Sequence, residues 1–113
     1  MTTTANNHQY FEVMDDAELD EKQIFCTNLQ GVALAMCRSK GQVYAINNLC
    51  THAASTFDEG RVRGHFIVCP LHGVMFDMRS GEPNGTLAKK ALLTYPTRLT
   101  EQGKIEVGLP IEA

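Results

Sequence analysis

VYAINNLCTH, residues 43–52, and FIVCPLHGVMFDMRSGEP, residues 66–83, carry the pattern that decides how this chain folds. Inside them lie two short arms, Cys50-Thr51-His52 and Cys69-Pro70-Leu71-His72, separated by sixteen residues. Each arm offers one thiolate and one imidazole, so two loops pinched together would present two sulfur and two nitrogen ligands to an enclosed metal. With four cysteines and four histidines in 113 residues, chance would produce such spacings at a frequency of roughly 10⁻⁴. Accident is a poor explanation, and Cys50, His52, Cys69 and His72 are the candidate metal ligands.

Two kinds of centre use this ligand set. Zinc is held structurally by two Cys and two His in many small domains, but zinc fingers usually gather the cysteines on one arm and the histidines on the other. Here each arm carries one of each. A Rieske centre binds one iron through two Cys and the other through two His, so mixed arms would let each loop reach both irons.

CTH, the spacer and CPLHG followed by Val74, Met75, Phe76 and Asp77 resemble the cluster-binding signature of Rieske proteins. The resemblance runs from about Tyr10 to Val107 and is nearest the small Rieske ferredoxins of bacterial aromatic-ring-hydroxylating dioxygenase systems. It implies an all-β fold of three antiparallel sheets, with a basal β-sandwich and an inserted cluster-binding subdomain. It further implies a single domain over residues 1–113, with the cluster-binding part at about 46–88, and one [2Fe-2S] Rieske cluster per chain on Cys50, His52, Cys69 and His72. The implied function is electron carriage from a flavin-dependent ferredoxin reductase to a terminal ring-hydroxylating oxygenase, with no catalytic residue in this chain. One departure falls in the third loop, where the family often has Gly-Pro and this chain reads Gly85-Thr86.

The resemblance also bears on potential. Two ferric ions, two sulfides, two thiolates and two neutral imidazoles sum to about zero charge, against about −2 for four thiolates, so the electron is accepted more easily than in a plant-type ferredoxin. High-potential relatives add a disulfide between the two loops, at positions matching Ser55 and Leu71, and hydroxyl donors where Val74 and Phe76 stand. Without those groups the cluster is expected at the low end of the Rieske range. His52 and His72 are expected to keep one ring nitrogen near the surface as an electron exit. Leu71, Val74, Met75 and the loop near Pro83 are expected either to pack against the cluster or to form a small apolar contact with partners. Lys89 and Lys90 are expected to be solvated or to steer an acidic partner.

Length and composition agree with a single carrier. A chain of 113 residues with 43% hydrophobic content builds one modest core and leaves no room for a catalytic domain. The N-terminus lacks a basic region followed by an apolar run, and no stretch is long enough to span a bilayer, so a cytoplasmic, membrane-free monomer is expected. Cys26 and Cys37 lie in the apolar runs IFC and ALAMC and read as buried packing thiols. The net charge of −3 excludes a broad nucleic-acid surface, and the acidic residues Asp15, Asp16, Glu18, Asp20 and Glu21 read as a solvated turn.

Short apolar stretches between turn signals predict strands at 10–14, 23–28, 32–38, 43–47, 63–68, 74–76, 92–99 and 105–108, with a helical turn at 15–22. Gln30-Gly31 and Lys40-Gly41 mark tight turns. Gly73 is read as making room beside His72, Pro70 as stiffening the second arm, and Met78 as loop or core filler.

Three other functions compete. An oxygenase catalytic subunit needs a second site of two His and a carboxylate, yet after the ligands only His8 and His65 remain, the latter read as isolated in a strand. The small Rieske-like subunit of an assimilatory nitrite reductase often lacks the ligands that are present here. A zinc-stabilised interaction domain would be colourless.

Overall fold

The structure is a computed structural model that describes residues 8–51, 55–71, 73–86 and 88–111. The expected ligands His52 and His72 lie outside the described residues.

Among the described residues, eleven strands form three antiparallel sheets. The first sheet has the order β1-β11-β10, from β1 (His8–Asp15), β11 (Lys104–Pro110) and β10 (Thr97–Leu99). The second has the order β2-β3-β4-β9, from β2 (Ile24–Leu29), β3 (Val32–Ser39), β4 (Gln42–Asn47) and β9 (Thr94–Tyr95). The third is the meander β5 (Arg61–Arg63), β6 (Phe66–Val68), β7 (Met75–Asp77) and β8 (Pro83–Asn84). β4 and β9 are hydrogen-bonded neighbours, pairing Ala45 with Tyr95 and Ile46 with Thr94. The chain therefore leaves the second sheet after β4, builds the third sheet, and returns beside the strand it left.

β3 explains how the layers stack. Successive side chains in a strand point to opposite faces, yet Leu34, Ala35, Met36 and Cys37 are all at most 1% exposed. Leu34 and Met36 join Ala45, Ile105, Val107 and Leu109 between the first two sheets. Ala35 and Cys37 face the other way, into a second core with Ile46, Phe57, Ile67 and Phe76. A strand covered on both faces reads as a continuous apolar run, which is why ALAMC does not alternate.

The two tight turns have the geometry their residues suit. Gln30 and Gly31 have φ of 52° and 85°, and Lys40 and Gly41 have 52° and 81°. Positive φ at both central residues marks the two-residue hairpin turn whose twist matches the flanking strands.

Four expectations need correction. Residues 63–68 are not one strand: Gly64 has φ 57° and the chain folds back, pairing Arg63 with Phe66. His65 thus sits in a hairpin turn, with its Nε2 3.8 Å from Asp77 Oδ2. Residues 92–99 are likewise two strands in different sheets, broken at Pro96, which has no N–H for a ladder and whose carbonyl accepts the Gly108 N–H at 2.8 Å. The helical turn shrinks to a 3-10 turn at Asp16–Glu18. Finally, the acidic run is anchored: Asp16 pairs with Arg38 at 2.5 Å, Asp15 with Lys104, and the Glu21 carboxylate accepts the N–H groups of Lys40 and Gly41. Among the described residues, no helix is long and apolar enough to cross a membrane.

Candidate metal centre

The first ligand loop is rooted in the second sheet. Asn47 donates its N–H to the Leu93 carbonyl and its Nδ2 to the Ala33 carbonyl, at 2.9 and 3.1 Å. The Cys50 N–H then meets the Ser55 carbonyl at 2.6 Å, closing the loop on itself. Behind it, Phe57 is fully buried and its N–H is held by Asn48 Oδ1 at 2.7 Å.

The second loop is a hairpin end between β6 and β7. Val68 finishes β6, and the Cys69 N–H donates to the Val74 carbonyl at 2.8 Å, so that Pro70, Leu71 and Gly73 lie on a short finger beyond it. Gly73 has φ 67°, with nothing within 4 Å of an added side-chain carbon. That left-handed conformation by itself favours glycine. Clearance matters at Gly60, which the sequence reading passed over: a side-chain carbon there would lie 2.2 Å from the Val68 carbonyl oxygen. The two loops can approach because that position is bare.

A third segment closes over the first loop. The Thr51 hydroxyl donates to the Lys90 carbonyl at 2.6 Å, and the Leu92 N–H donates to the Gly81 carbonyl at 2.8 Å. In this segment Gly85 takes φ 102° while Thr86 stays exposed, the local shape where Gly-Pro was expected.

The loops bring Cys50 and Cys69 together. Both are buried, at 0% and 1% exposure, and neither is in a disulfide. Burial pushes the Cys69 thiol up from its ordinary value, and the neighbouring Cys50 thiol adds to the rise. Ser55 acts in the opposite sense on Cys69, its side chain lying within reach of the sulfur. The sequence marked Ser55 only as a position lacking the inter-loop disulfide, and the loop closure is what brings its side chain to Cys69. Two adjacent buried thiols shed their protons readily only to a metal, which supplies the charge that burial denies them. The described part of the site thus fits two thiolates of an iron-sulfur centre. Among the described residues no group of three or more His, Cys, Asp or Glu side chains could hold a metal ion.

The surface beside the site differs from expectation. Val74 is 3% exposed and belongs to the core, so it is unavailable for docking. Leu71 is exposed and Met75 half-buried. Leu49 and Leu93, at 45% and 66% exposure, add apolar surface at the foot of the first loop. Lys89 and Lys90 are exposed, as are Arg61 and Arg63 on β5. Met78 is core, and Cys37 is buried while Cys26 is half-buried.

The Rieske [2Fe-2S] domain matches residues 9–96 of this sequence. The chain belongs to the Rieske [2Fe-2S] domain family. It is 33% identical, over 75% of its length and 82% of the relative's, to the naphthalene 1,2-dioxygenase system ferredoxin component of Pseudomonas aeruginosa. In a solved complex of reduced oxygenase and oxidised ferredoxin in carbazole 1,9a-dioxygenase, one chain superposes with a TM-score of 0.79 at 28% identity, covering 86% of this chain and 99% of that one. A nitrite reductase small subunit from Mycobacterium tuberculosis superposes at 0.84, over 93% of this chain and 98% of that one, but at 19% identity it shares the fold alone. This Rieske protein is a ferredoxin of the type found in aromatic dioxygenase systems, an electron carrier and not a catalytic enzyme. Its cofactor is a Rieske [2Fe-2S] cluster, which removes the zinc alternative.

Proposed function

We propose that this Rieske ferredoxin takes single electrons from a flavin-dependent reductase and delivers them to the terminal oxygenase of an aromatic ring-hydroxylating dioxygenase system. Cys50 and Cys69 hold one iron as thiolates, and His52 and His72 hold the other through imidazole nitrogens. When bound, the cluster supplies one reversible electron at a site that makes and breaks no substrate bond. The observation that carries this reading is the meeting of Cys50 and Cys69, buried side by side from two loops that the fold closes separately.

The chain's own residues set how readily that electron is accepted. Val74 and Phe76 are buried apolar groups that offer the cluster no hydroxyl, so the reduced state lacks two stabilising hydrogen bonds and the potential is low. Ser55 gives back part of that stabilisation beside Cys69. Leu71 and Pro70 stand exposed on the finger of the second loop, a small apolar contact suited to a partner that must dock and leave quickly. Exposed Arg61, Lys89 and Lys90 favour an acidic rim on that partner.

A single Rieske domain spans the chain, with its cluster-bearing part at about 46–88, and it acts as a cytoplasmic monomer. Reconstitution tests the reading: purified reductase and oxygenase should form hydroxylated product from an aromatic substrate only when this ferredoxin is added. Acceptance by a nitrite reductase instead, with no oxygenase turnover, would replace the pathway while leaving the electron carrier intact.

A further inference from the structure

We propose that Asn48 is the positioning residue of the first ligand loop, an inference that rests on the ligand set proposed above. Buried polar side chains are few among the described residues, and Asn48, 7% exposed, is one of two. A buried amide is costly unless both its ends are satisfied. Here both are: Oδ1 accepts the Phe57 N–H at 2.7 Å and Nδ2 donates to Asp58 Oδ1 at 3.2 Å. The partners fix which end is which, because a backbone N–H needs an acceptor and a carboxylate needs a donor. The Asn48 N–H itself runs to the Ala33 carbonyl of β3 at 2.9 Å.

One side chain therefore clasps the two ends of the loop that carries Cys50 and roots them on the second sheet. Its hold extends further. Phe57 meets Phe76 edge-on, with ring centroids 6.0 Å apart, and Phe76 lies on β7 just after Val74, whose carbonyl closes the second loop on Cys69. Moving the Phe57 N–H thus moves Cys50 relative to Cys69. Asp58 gains a second root, since the Cys26 thiol of β2 and the Thr56 side chain both act on its carboxylate.

The test uses the full cluster-bearing chain with Asn48→Asp, Asp58→Asn, the double exchange and Asn48→Ala. Asn48→Asp keeps the acceptor for Phe57 but sets two carboxylates against each other; the double exchange restores an amide facing a carboxylate. Asn48→Asp is expected to lose its cluster about tenfold faster, to shift the reduction potential and to broaden the electron paramagnetic resonance spectrum of the reduced protein. The double exchange is expected to recover the spectrum and potential. Wild-type behaviour of Asn48→Asp in all three measurements would overturn the proposal. Hydrogen exchange at the Phe57 N–H separates it from the ligand set, since that readout needs no metal. Should wild-type protein hold no iron, the ligands fail, while faster exchange in Asn48→Ala still supports the clasp and unchanged exchange sinks it.

Discussion

The Thr51 hydroxyl donates to the Lys90 carbonyl at 2.6 Å, linking the first ligand loop to a segment thirty-nine residues along the chain. That bond pins the residue between Cys50 and His52 from outside its own loop. Thr51→Val keeps the shape and removes the donor, at a cost of about 1 kcal/mol. The folded core is expected to survive, with cluster bleaching in air about fivefold faster. Equal bleaching rates for variant and wild type would show that the third segment does not restrain the loop.

Phe57 is the largest side chain shared between the first loop and the core. Phe57→Ala is expected to cost about 3–5 kcal/mol in chemical denaturation, the range for emptying a buried aromatic site. That is a large fraction of the roughly 5–15 kcal/mol typical of a small domain, about two-fifths at the midpoints. Unfolding within 1 kcal/mol of wild type, about the scale of a surface substitution, would mean the core collapses around the gap.

Gly60 and Gly73 flank the site but answer to different physics. A side-chain carbon at Gly60 would press on the Val68 backbone at 2.2 Å, so Gly60→Ala must push the second loop away and is expected to abolish cluster retention. At Gly73 the space is open and φ is 67°, so Gly73→Ala meets only backbone strain of about 1–2 kcal/mol. Melting temperatures and iron content of the two variants check the ranking; a milder effect at Gly60 than at Gly73 would contradict it.

Cys37 gives the protein an alkaline weakness. Burial first, then the Cys26 charge, raises its thiol from 9.0 to about 12. The unfolded chain releases this proton from about pH 9, while the folded chain holds it until about pH 12. The stability contributed by the buried neutral thiol is therefore full below pH 9 and is lost as pH rises through that window. Denaturation of metal-free protein from pH 8 to 11 is expected to show a decline that Cys37→Ala flattens, and parallel curves for the two proteins would remove Cys37 as its source.

Phe76→Tyr would place a hydroxyl where Phe76 is now wholly buried, and a donor toward the cluster stabilises the reduced state. The reduction potential is expected to rise in Phe76→Tyr and to fall in Ser55→Ala. Voltammetry that registers neither change would remove hydroxyl groups beside the cluster as the tuning device.

The pairing of Cys50 with Cys69, the hairpin turns and most strands were legible because their signals are local: fixed spacings, Gln30-Gly31 and Lys40-Gly41, and apolar runs of strand length. What stayed hidden depends on contacts between distant segments. The break at Pro96 follows from β9 pairing with β4 while β10 pairs with β11, and no pattern within 92–99 says that a strand changes sheets. Residue type left Val74 open between packing and docking, and only the assembled fold decides it, by burying Val74 in the core with Phe57, Ile67 and Phe76. The anchoring of Asp16 by Arg38 spans twenty-two residues and was equally invisible. Gly60 carried no motif, since its partner is the Val68 backbone on a strand yet to be placed.

The most direct test of the central claim is electron-nuclear double resonance on the reduced protein, read beside its iron and sulfide content. Two irons and two acid-labile sulfides per chain, with couplings from two imidazole nitrogens that His52→Ala and His72→Ala each disrupt, is the expected result. Protein that holds zinc, or an iron-sulfur centre without nitrogen couplings, would contradict it.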